Sequence, residues 1–350
     1  TYLKNILLLL LAYFFGRNVT ISSEQFKNVS KVIFAMSVLA FLIVVAEKLF
    51  GVHFHSVIGF SKYHLDFNNI EPQGNFGLNW TFEAQGGQPR YGSFYSNPLE
   101  FAASLLISFS LSIIYIISMK YKDNQIKYLI LLGLTLVCLL LAYSRATMVS
   151  FVGVLFIIAL LLNYYKVVIY TVVGVMLVVV YIFFFAPDDT RYFVEDTLTF
   201  QNSSSITHVI EWAEGVQSMV DNPLGIGLAM SGNAGGVEDD LKVSGENQFL
   251  IYGVQLGIIG MLLYLLIFII GIVHAWKAFK MLKSREDQVI PFVAICVKFG
   301  LLLPLLTANV ESYLYVSLVS WWLIGMSETL YLKHTIKKIH LIKSRAIETK

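Results

Sequence analysis

Charged residues are scarce in this chain of 350 residues, since only 14% are charged and 57% are hydrophobic. A soluble globular domain usually carries about 25% charged residues and at most about 50% apolar ones. The composition therefore excludes a water-soluble enzyme and a disordered chain. A formal net charge of +2 also gives a nucleic-acid-binding role no support. We expect the chain to lie in a lipid bilayer.

Cysteine is nearly absent as well. The two cysteines, Cys138 and Cys296, both lie inside apolar runs, which leaves neither a disulfide framework nor a thiolate metal cluster. His53, His55 and His64 lie near one another in the sequence, but no cysteine or carboxylate spacing around them supports a metal site. We therefore predict no metal site and no cofactor.

Long apolar runs make up most of the chain. A bilayer core of about 30 Å needs about 20 apolar residues per helix, and because no water satisfies exposed backbone there, such runs must be helical. The predicted fold class is an all-α polytopic transmembrane helix bundle. The first run begins at Thr1 without a methionine or a charged segment, so we expect the remainder of a longer helix, with room for more before it, rather than a signal peptide. Nine helices are predicted, near residues 1–15, 30–50, 98–118, 128–143, 147–163, 167–186, 248–274, 290–308 and 311–332.

Lysine and arginine fall mainly on one side of this helix pattern. Of the 25 basic residues, 17 lie in the connections 16–31, 120–127 and 275–289, at Lys166, and in the tail 333–350. Short cytoplasmic loops retain such residues, so these connections and the C-terminus are predicted to be cytoplasmic. The tail alternates isoleucine with lysine and arginine, which is typical of a basic helix on anionic membrane lipids.

Two long loops, 51–97 and 187–245, are consequently predicted to face outward. The second holds ten acidic residues against two basic ones, and long loops carry function more often than they merely connect. Within it, apolar residues at helical spacing predict a short amphipathic helix over 204–221, on or near the outer interface. The chain thus divides into helices within 1–186, this loop, helices within 246–332, and the tail.

Several short motifs occur in order on the predicted outer side. They are Arg90-Tyr91-Gly92-Ser93 before a helix entered through Asn97-Pro98, Ser144-Arg145-Ala146 at a helix junction, Trp212 in the loop helix, Asn222-Pro223-Leu224-Gly225-Ile226-Gly227, and Gly245-Glu246-Asn247-Gln248-Phe249-Leu250 followed by Gly257 and Gly260. In this order the motifs, spanning about residues 85–265, resemble the O-antigen ligase and polysaccharide polymerase (Wzy and WaaL) family.

The resemblance implies a glycosyltransferase that uses an undecaprenyl-diphosphate-linked glycan as donor, at the outer face of the bacterial cytoplasmic membrane. The leaving diphosphate needs fixed cations, and arginine binds phosphate oxygens bidentately while staying charged. Arg90 and Arg145 are the candidates. Arg145 interrupts an apolar stretch from 128 to 163, where a cation is costly unless it is paired or near the interface. The alternative for Arg145 is a helix-end anchor.

The acceptor hydroxyl also needs a base to take its proton. The family commonly has a histidine where this chain has Glu246, and because a carboxylate can accept a proton too, we predict Glu246 as the catalytic base. The alternative is that Glu246 only favours a helix N-terminus. At His208 the family often has an arginine, and a histidine binds diphosphate more weakly because its charge near pH 7 is partial. A loop histidine without a role is the alternative there.

Four other residues are weaker candidates. Arg191 is predicted to reach a second diphosphate, since a polymerase holds two lipid-linked substrates, although such an arginine often pairs only with a neighbouring aspartate. Glu211 lies three residues after His208 on the predicted loop helix, so the two side chains can meet. The candidates for sugar contacts are Glu211, Tyr91 and Asn247.

The function predicted is that of a polysaccharide polymerase for O-antigen, capsule or exopolysaccharide, inverting and metal-independent. An O-antigen ligase that transfers the glycan to a lipid A core is the alternative within the family. A lipid-linked glycan transporter is the alternative from another class, and its best evidence is Lys298, predicted about 12 Å inside a helix from the cytoplasmic end. The resemblance leaves open whether a chain-length regulator is a partner.

Overall fold

The structure, a computed structural model, describes most of the chain. It covers residues 2–19, 21–68, 71–84, 87–118, 122–188, 191–192, 194–195, 199, 203–232, 242–243, 245–348. Within those ranges the chain forms α-helices, 3-10 helices at Trp80–Phe82 and Val310–Ser312, and an antiparallel ribbon of β1 (Glu83–Ala84) and β2 (Gln88–Pro89). The α-helices are α1 (Tyr2–Asn18), α2 (Ser23–Phe50), α3 (Phe54–Val57), α4 (Phe60–Asn68), α5 (Pro98–Ser118), α6 (Lys122–Ala142), α7 (Arg145–Leu162), α8 (Lys166–Phe184), α9 (Ser203–Asp221), α10 (Gln248–Met281), α11 (Arg285–Gly300), α12 (Leu302–Thr307) and α13 (Leu314–Glu348).

The predicted all-α polytopic bundle is confirmed. Seven described helical segments are long and apolar enough to cross a membrane, namely α2, α5, α6, α7, α8, α10 and the pair α11 and α12. The first and last of the nine predicted segments are helical too. However, α1 is not among the seven, since its apolar part, Ile6–Asn18, is shorter, and α13 begins only after the 3-10 turn at Val310–Ser312.

The centre of the bundle is formed by α5 and α11, both largely buried by their neighbours. Between α11 and α12 the helical ladder is interrupted only locally, at Leu301, because Pro304 has no N–H to donate. At the periphery, α1 crosses α13 at small residues. Gly16 lies against the Trp322 backbone and Gly325 against the Tyr13 backbone, which permits the close approach that membrane helices use for packing.

Helix α10 is kinked at Gly257, whose φ of 74° and ψ of 178° are not helical. The turn at 222–227 docks into this kink. Ile226 N donates to Val254 O at 2.9 Å, and Ile258 N donates to Pro223 O at 3.1 Å. The freed backbone groups of the broken helix are thus satisfied by the turn, as a membrane-embedded break requires.

The basic connections share one end of the bundle. Lys27 Nζ lies 2.9 Å from Glu286 Oε1, so the start of α2 meets the start of α11. Lys280 Nζ donates to Leu161 O at 3.2 Å, which places the ends of α7 and α10 together. The starts of α5, α7 and α10 and the described parts of the long loops therefore lie at the opposite end, where the motif residues are found.

Candidate active site

Arg90 is held in place by the loop that follows β2. Its N–H donates to Phe82 O at 2.8 Å, and the next residue, Tyr91, donates from N to Leu141 O at 3.2 Å. Two residues on, Ser93 adopts a φ of 54°, and its N–H donates to Glu47 Oε2 at 3.1 Å. The loop is therefore tied to α2 and to the end of α6, which places the Arg90 backbone at this end of the bundle.

Arg145 occupies the first position of α7, directly after the break that separates α6 from α7. The break is built from Tyr143, with a φ of 51°, and from buried Ser144, whose Oγ lies 3.0 Å from Thr147 Oγ1. Helix N-termini carry a partial positive charge, so an arginine here adds to a field that attracts anions.

The two guanidinium groups lie close enough to act on each other. Burial, followed by the charge of Arg145, lowers the pKa of Arg90 to about 10, while Glu246 opposes this shift. Arg90 remains charged at neutral pH, and its Nε has no hydrogen-bond partner in the described part of the chain. Because buried polar groups normally have a hydrogen-bond partner, the Nε–H of Arg90 is a candidate donor to a bound anion.

Glu246 lies at the start of α10, next to the residue that caps the helix. Asn247 Oδ1 accepts hydrogen bonds from Phe249 N at 3.0 Å and Leu250 N at 3.2 Å, an N-cap arrangement. Burial raises the pKa of Glu246 to about 7, the Glu211 carboxylate adds to the rise, and Arg90 opposes it. A carboxylate with this pKa can both take and release a proton near neutrality.

Helix α9 brings His208 and Glu211 to Glu246. The helix packs on the first half of α10, where Gly215 faces Leu250. His208 Nδ1 consequently lies 3.8 Å from Glu211 Oε2 and 3.8 Å from Glu246 Oε2. Burial, more than the repulsion from Arg145, lowers the pKa of His208, against the attraction of Glu211. His208 is therefore neutral at pH 7 and lies between two carboxylates.

Five of the predicted residues thus come together, from four separate parts of the chain. Through contacts or charge interactions, the loop after β2, the start of α7, helix α9 and the start of α10 are joined into one cluster. We call it the active-site cluster; its members are Arg90, Arg145, His208, Glu211 and Glu246.

The other three candidates have different surroundings. The Tyr91 ring is buried against His53, with 5.5 Å between the ring centroids, and Asn247 uses its side-chain oxygen as the helix cap. Arg191 NH1 lies 3.9 Å from Asp188 Oδ1, the neighbouring-aspartate pairing considered from the sequence. These placements give each residue a structural role; whether they also contact substrate stays a prediction.

Tyr313 is a residue that sequence reasoning missed. It is buried at the end of the 3-10 turn before α13, and the charges of Glu246 and Arg90 both act on it. Glu100 Oε1 accepts a hydrogen bond from Tyr315 N at 3.2 Å, which ties the start of α13 to the start of α5. No motif marks Tyr313, because its proximity to Glu246 depends on how α13 packs against α5.

The described residues contain no group of three or more histidine, cysteine, aspartate or glutamate side chains that could hold a metal ion. His53 and His55 are buried in an aromatic surround that includes Phe82, and the His64 side chain lies outside the described part. At the active-site cluster, Arg90 and Arg145 bring two positive charges near each other.

Residues 130–265 match the Wzy_C family model, described as O-antigen ligase. The match confirms the resemblance to the O-antigen ligase and polymerase-like family, and it includes Arg145, α9, Glu246 and the kink of α10. A comparison with curated proteins gives no match. The protein is a polytopic membrane protein that resembles this family over residues 130–265. The general function that the family implies is a glycan-transferring activity on lipid-linked glycans.

Proposed function

We propose that this protein is a polysaccharide polymerase of the bacterial cytoplasmic membrane. It transfers an undecaprenyl-diphosphate-linked glycan onto a lipid-linked repeat unit at the outer face, with inversion and without a metal ion. The observation that carries the proposal is the active-site cluster, in which a carboxylate with a raised pKa, a neutral histidine and two arginines meet at one end of the bundle.

The arginines suit the leaving group. Transfer breaks the bond between the anomeric carbon and the diphosphate, so negative charge develops on a diphosphate oxygen. Fixed cations in a site of low dielectric stabilise such charge more strongly than water does. Arg90 and Arg145 supply two, and the free Nε of Arg90 offers a donor directly.

Glu246 is suited to the role of the general base. The acceptor hydroxyl transfers its proton to the Glu246 carboxylate while its oxygen forms the new bond to the anomeric carbon, opposite the departing diphosphate. His208 lies between Glu211 and the protonated Glu246, with its Nδ1 3.8 Å from an oxygen of each side chain. Glu246 then releases the proton to solvent, which restores the base, as its pKa of about 7 allows near neutral pH.

The sidedness follows from the basic connections. The end of the bundle at which Lys27 and Lys280 lie is predicted to be cytoplasmic, and the active-site cluster lies at the other end. A donor whose lipid lies in the outer leaflet would present its diphosphate at that level.

A ligase is the second candidate, because the matching family model is described as O-antigen ligase. The two activities share the donor and differ in the acceptor, so the active-site cluster serves both. Lys298 was the best evidence for the transporter hypothesis. Because it has a buried carboxylate partner, Glu311, 3.8 Å away, the lysine no longer favours a transporter.

The decisive experiment gives purified protein a defined undecaprenyl-diphosphate oligosaccharide. A polymerase forms a ladder of repeat-unit increments from this substrate alone, whereas a ligase forms product only when a different acceptor is added. Glu246→Gln should abolish either product. Glu214→Gln is the matched control, because Glu214 is a carboxylate of the same helix as Glu211 and is exposed. Retained product formation by Glu246→Gln would refute the proposed base.

A further inference from the structure

A second buried polar cluster lies where α10, α11 and α13 meet. At its centre is Glu311, 5% exposed, whose carboxylate accepts hydrogen bonds from Tyr264 Oη at 2.6 Å and from Trp321 Nε1 at 3.1 Å. Lys298 Nζ lies 3.8 Å from Glu311 Oε1 and 3.6 Å from the centroid of a Trp321 ring. We call these four residues the Glu311 cluster.

Stability alone is a weak explanation for this cluster. Removing two charges from water costs about as much as their attraction returns, and apolar residues of similar volume are often equally stable or better. Fully bonded buried groups do, however, fix one orientation, because each hydrogen bond restricts the angle as well as the distance. Hydrogen bonds restrain the Glu311 carboxylate in this way from α10 and α13, and Lys298 of α11 adds an ion pair at 3.8 Å.

The Glu311 cluster is linked to both sides of the active-site cluster. Glu311 N donates to Gln248 Oε1 at 3.0 Å, and Gln248 is 1% exposed. Gln248 lies two residues after Glu246, on the capped first turn of α10. In the other direction, Tyr313 lies two residues after Glu311 and is the residue on which the charges of Glu246 and Arg90 act.

We propose that the Glu311 cluster positions Glu246 and Tyr313 for glycan transfer, with Lys298 and Glu311 as positioning residues that do not touch substrate. The proposal rests on the proposed function of Glu246 as the base. The hydrogen bond from Glu311 N to Gln248 Oε1 fixes the position of the first turn of α10. The hydrogen bonds from Tyr264 and Trp321 to the Glu311 carboxylate fix the position of the 3-10 turn.

Tyr264→Phe and Trp321→Phe provide the test, because each removes one donor to Glu311 and keeps an aromatic ring. We expect kcat for glycan transfer to fall about tenfold or more, since a small displacement of a catalytic group is costly. The KM for the lipid-linked donor should stay unchanged, because neither arginine of the active-site cluster is altered. Lys298→Met and Glu311→Gln should show a larger loss of the same kind.

The matched control is Tyr115→Phe. It removes a buried hydroxyl that donates to Ser30 Oγ at 2.9 Å, at the opposite end of the bundle. Thermal unfolding of each variant separates loss of fold from loss of position. If Lys298→Met or Glu311→Gln does not fold, the two phenylalanine variants still decide the question.

Each outcome has a definite meaning. A loss of kcat in Tyr264→Phe and Trp321→Phe, with KM constant and Tyr115→Phe fully active, supports positioning. If the variants match Tyr115→Phe, or if only KM changes, the Glu311 cluster does not position the site, and the base assignment stands as long as Glu246→Gln is inactive. If Glu246→Gln transfers glycan at the wild-type rate, both proposals are wrong.

Discussion

As the proposed base, Glu246 should give glycan transfer a pH dependence that an ordinary glutamate would not give. Its pKa is raised from 4.5 to about 7, first by burial and then by Glu211. A general base works only in its deprotonated form. The rate of glycan transfer is therefore expected to rise with pH through about 7, rather than to be level from pH 5.5 upward.

The size of the effect follows from the titration. About half of the Glu246 carboxylate is ionised at its pKa of about 7, about a tenth is ionised one pH unit lower, and the ionised fraction falls about tenfold for each further unit. The rate at pH 6 should then be near a tenth of its maximum. Where His208 gains a proton, in acid because its pKa is lowered, its positive charge favours the carboxylate, and the decline becomes shallower.

Glu211→Gln tests the cause of the shift. Removing the Glu211 charge removes one of the two effects that raise the pKa, so the midpoint should move downward while burial keeps it above 4.5. Initial rates of ladder growth between about pH 5 and 9, with folding verified at each pH, measure the midpoint. Glu214→Gln, on the exposed face of α9, should leave it in place. A level rate from pH 5.5 to 8.5 in the wild type, or an unmoved midpoint in Glu211→Gln, would refute the reasoning.

Three further predictions concern the cations, the kink and the absence of a metal requirement. Arg145→Gln should weaken donor binding about ten- to a hundredfold through lost charge-assisted hydrogen bonds, measured as donor KM, whereas Arg285→Gln at the basic end should not. Gly257→Ala should destabilise the fold by about 1–3 kcal/mol, because the residue has a positive φ and a Cβ would press on the Pro223 carbonyl. The control is Gly174→Ala, which should not lower the melting temperature because Gly174 has open space around it. Polymerisation should continue undiminished in EDTA, and a strict Mg²⁺ requirement would contradict the proposal.

The helices were predictable because the bilayer leaves little choice. A long apolar run must be helical to satisfy its own backbone, and α5, for example, has the predicted limits of 98 and 118. The kink in α10 was not predictable in the same way. It depends on hydrogen bonds between Val254 and Ile226, which are distant in sequence, and a glycine at 257 is equally compatible with an unbroken helix.

The active-site cluster could be predicted only through the family resemblance. Composition marks Arg145 as costly in its place, but nothing local relates it to Glu246 a hundred residues later. Lys298 illustrates the opposite case. The helix begins at Arg285 rather than near 290, so Lys298 lies about 20 Å from its start rather than about 12 Å. Glu311 was overlooked, although a second ionisable residue in a nearby apolar segment was the available signal for a buried partner.

The charges of the active-site cluster favour the proposed transfer step over the resting state. Before transfer, the Glu246 carboxylate attracts Arg90, while Arg145 repels Arg90 and lowers the pKa of Arg90. During transfer one negative charge leaves Glu246, as the carboxylate takes the proton, and appears on the diphosphate. The attraction of Arg90 is thereby released from the carboxylate just as the diphosphate gains charge, and an anion between the two arginines relieves their repulsion. Interactions that strengthen along the reaction in this way lower its barrier, whereas equal binding of both states would not.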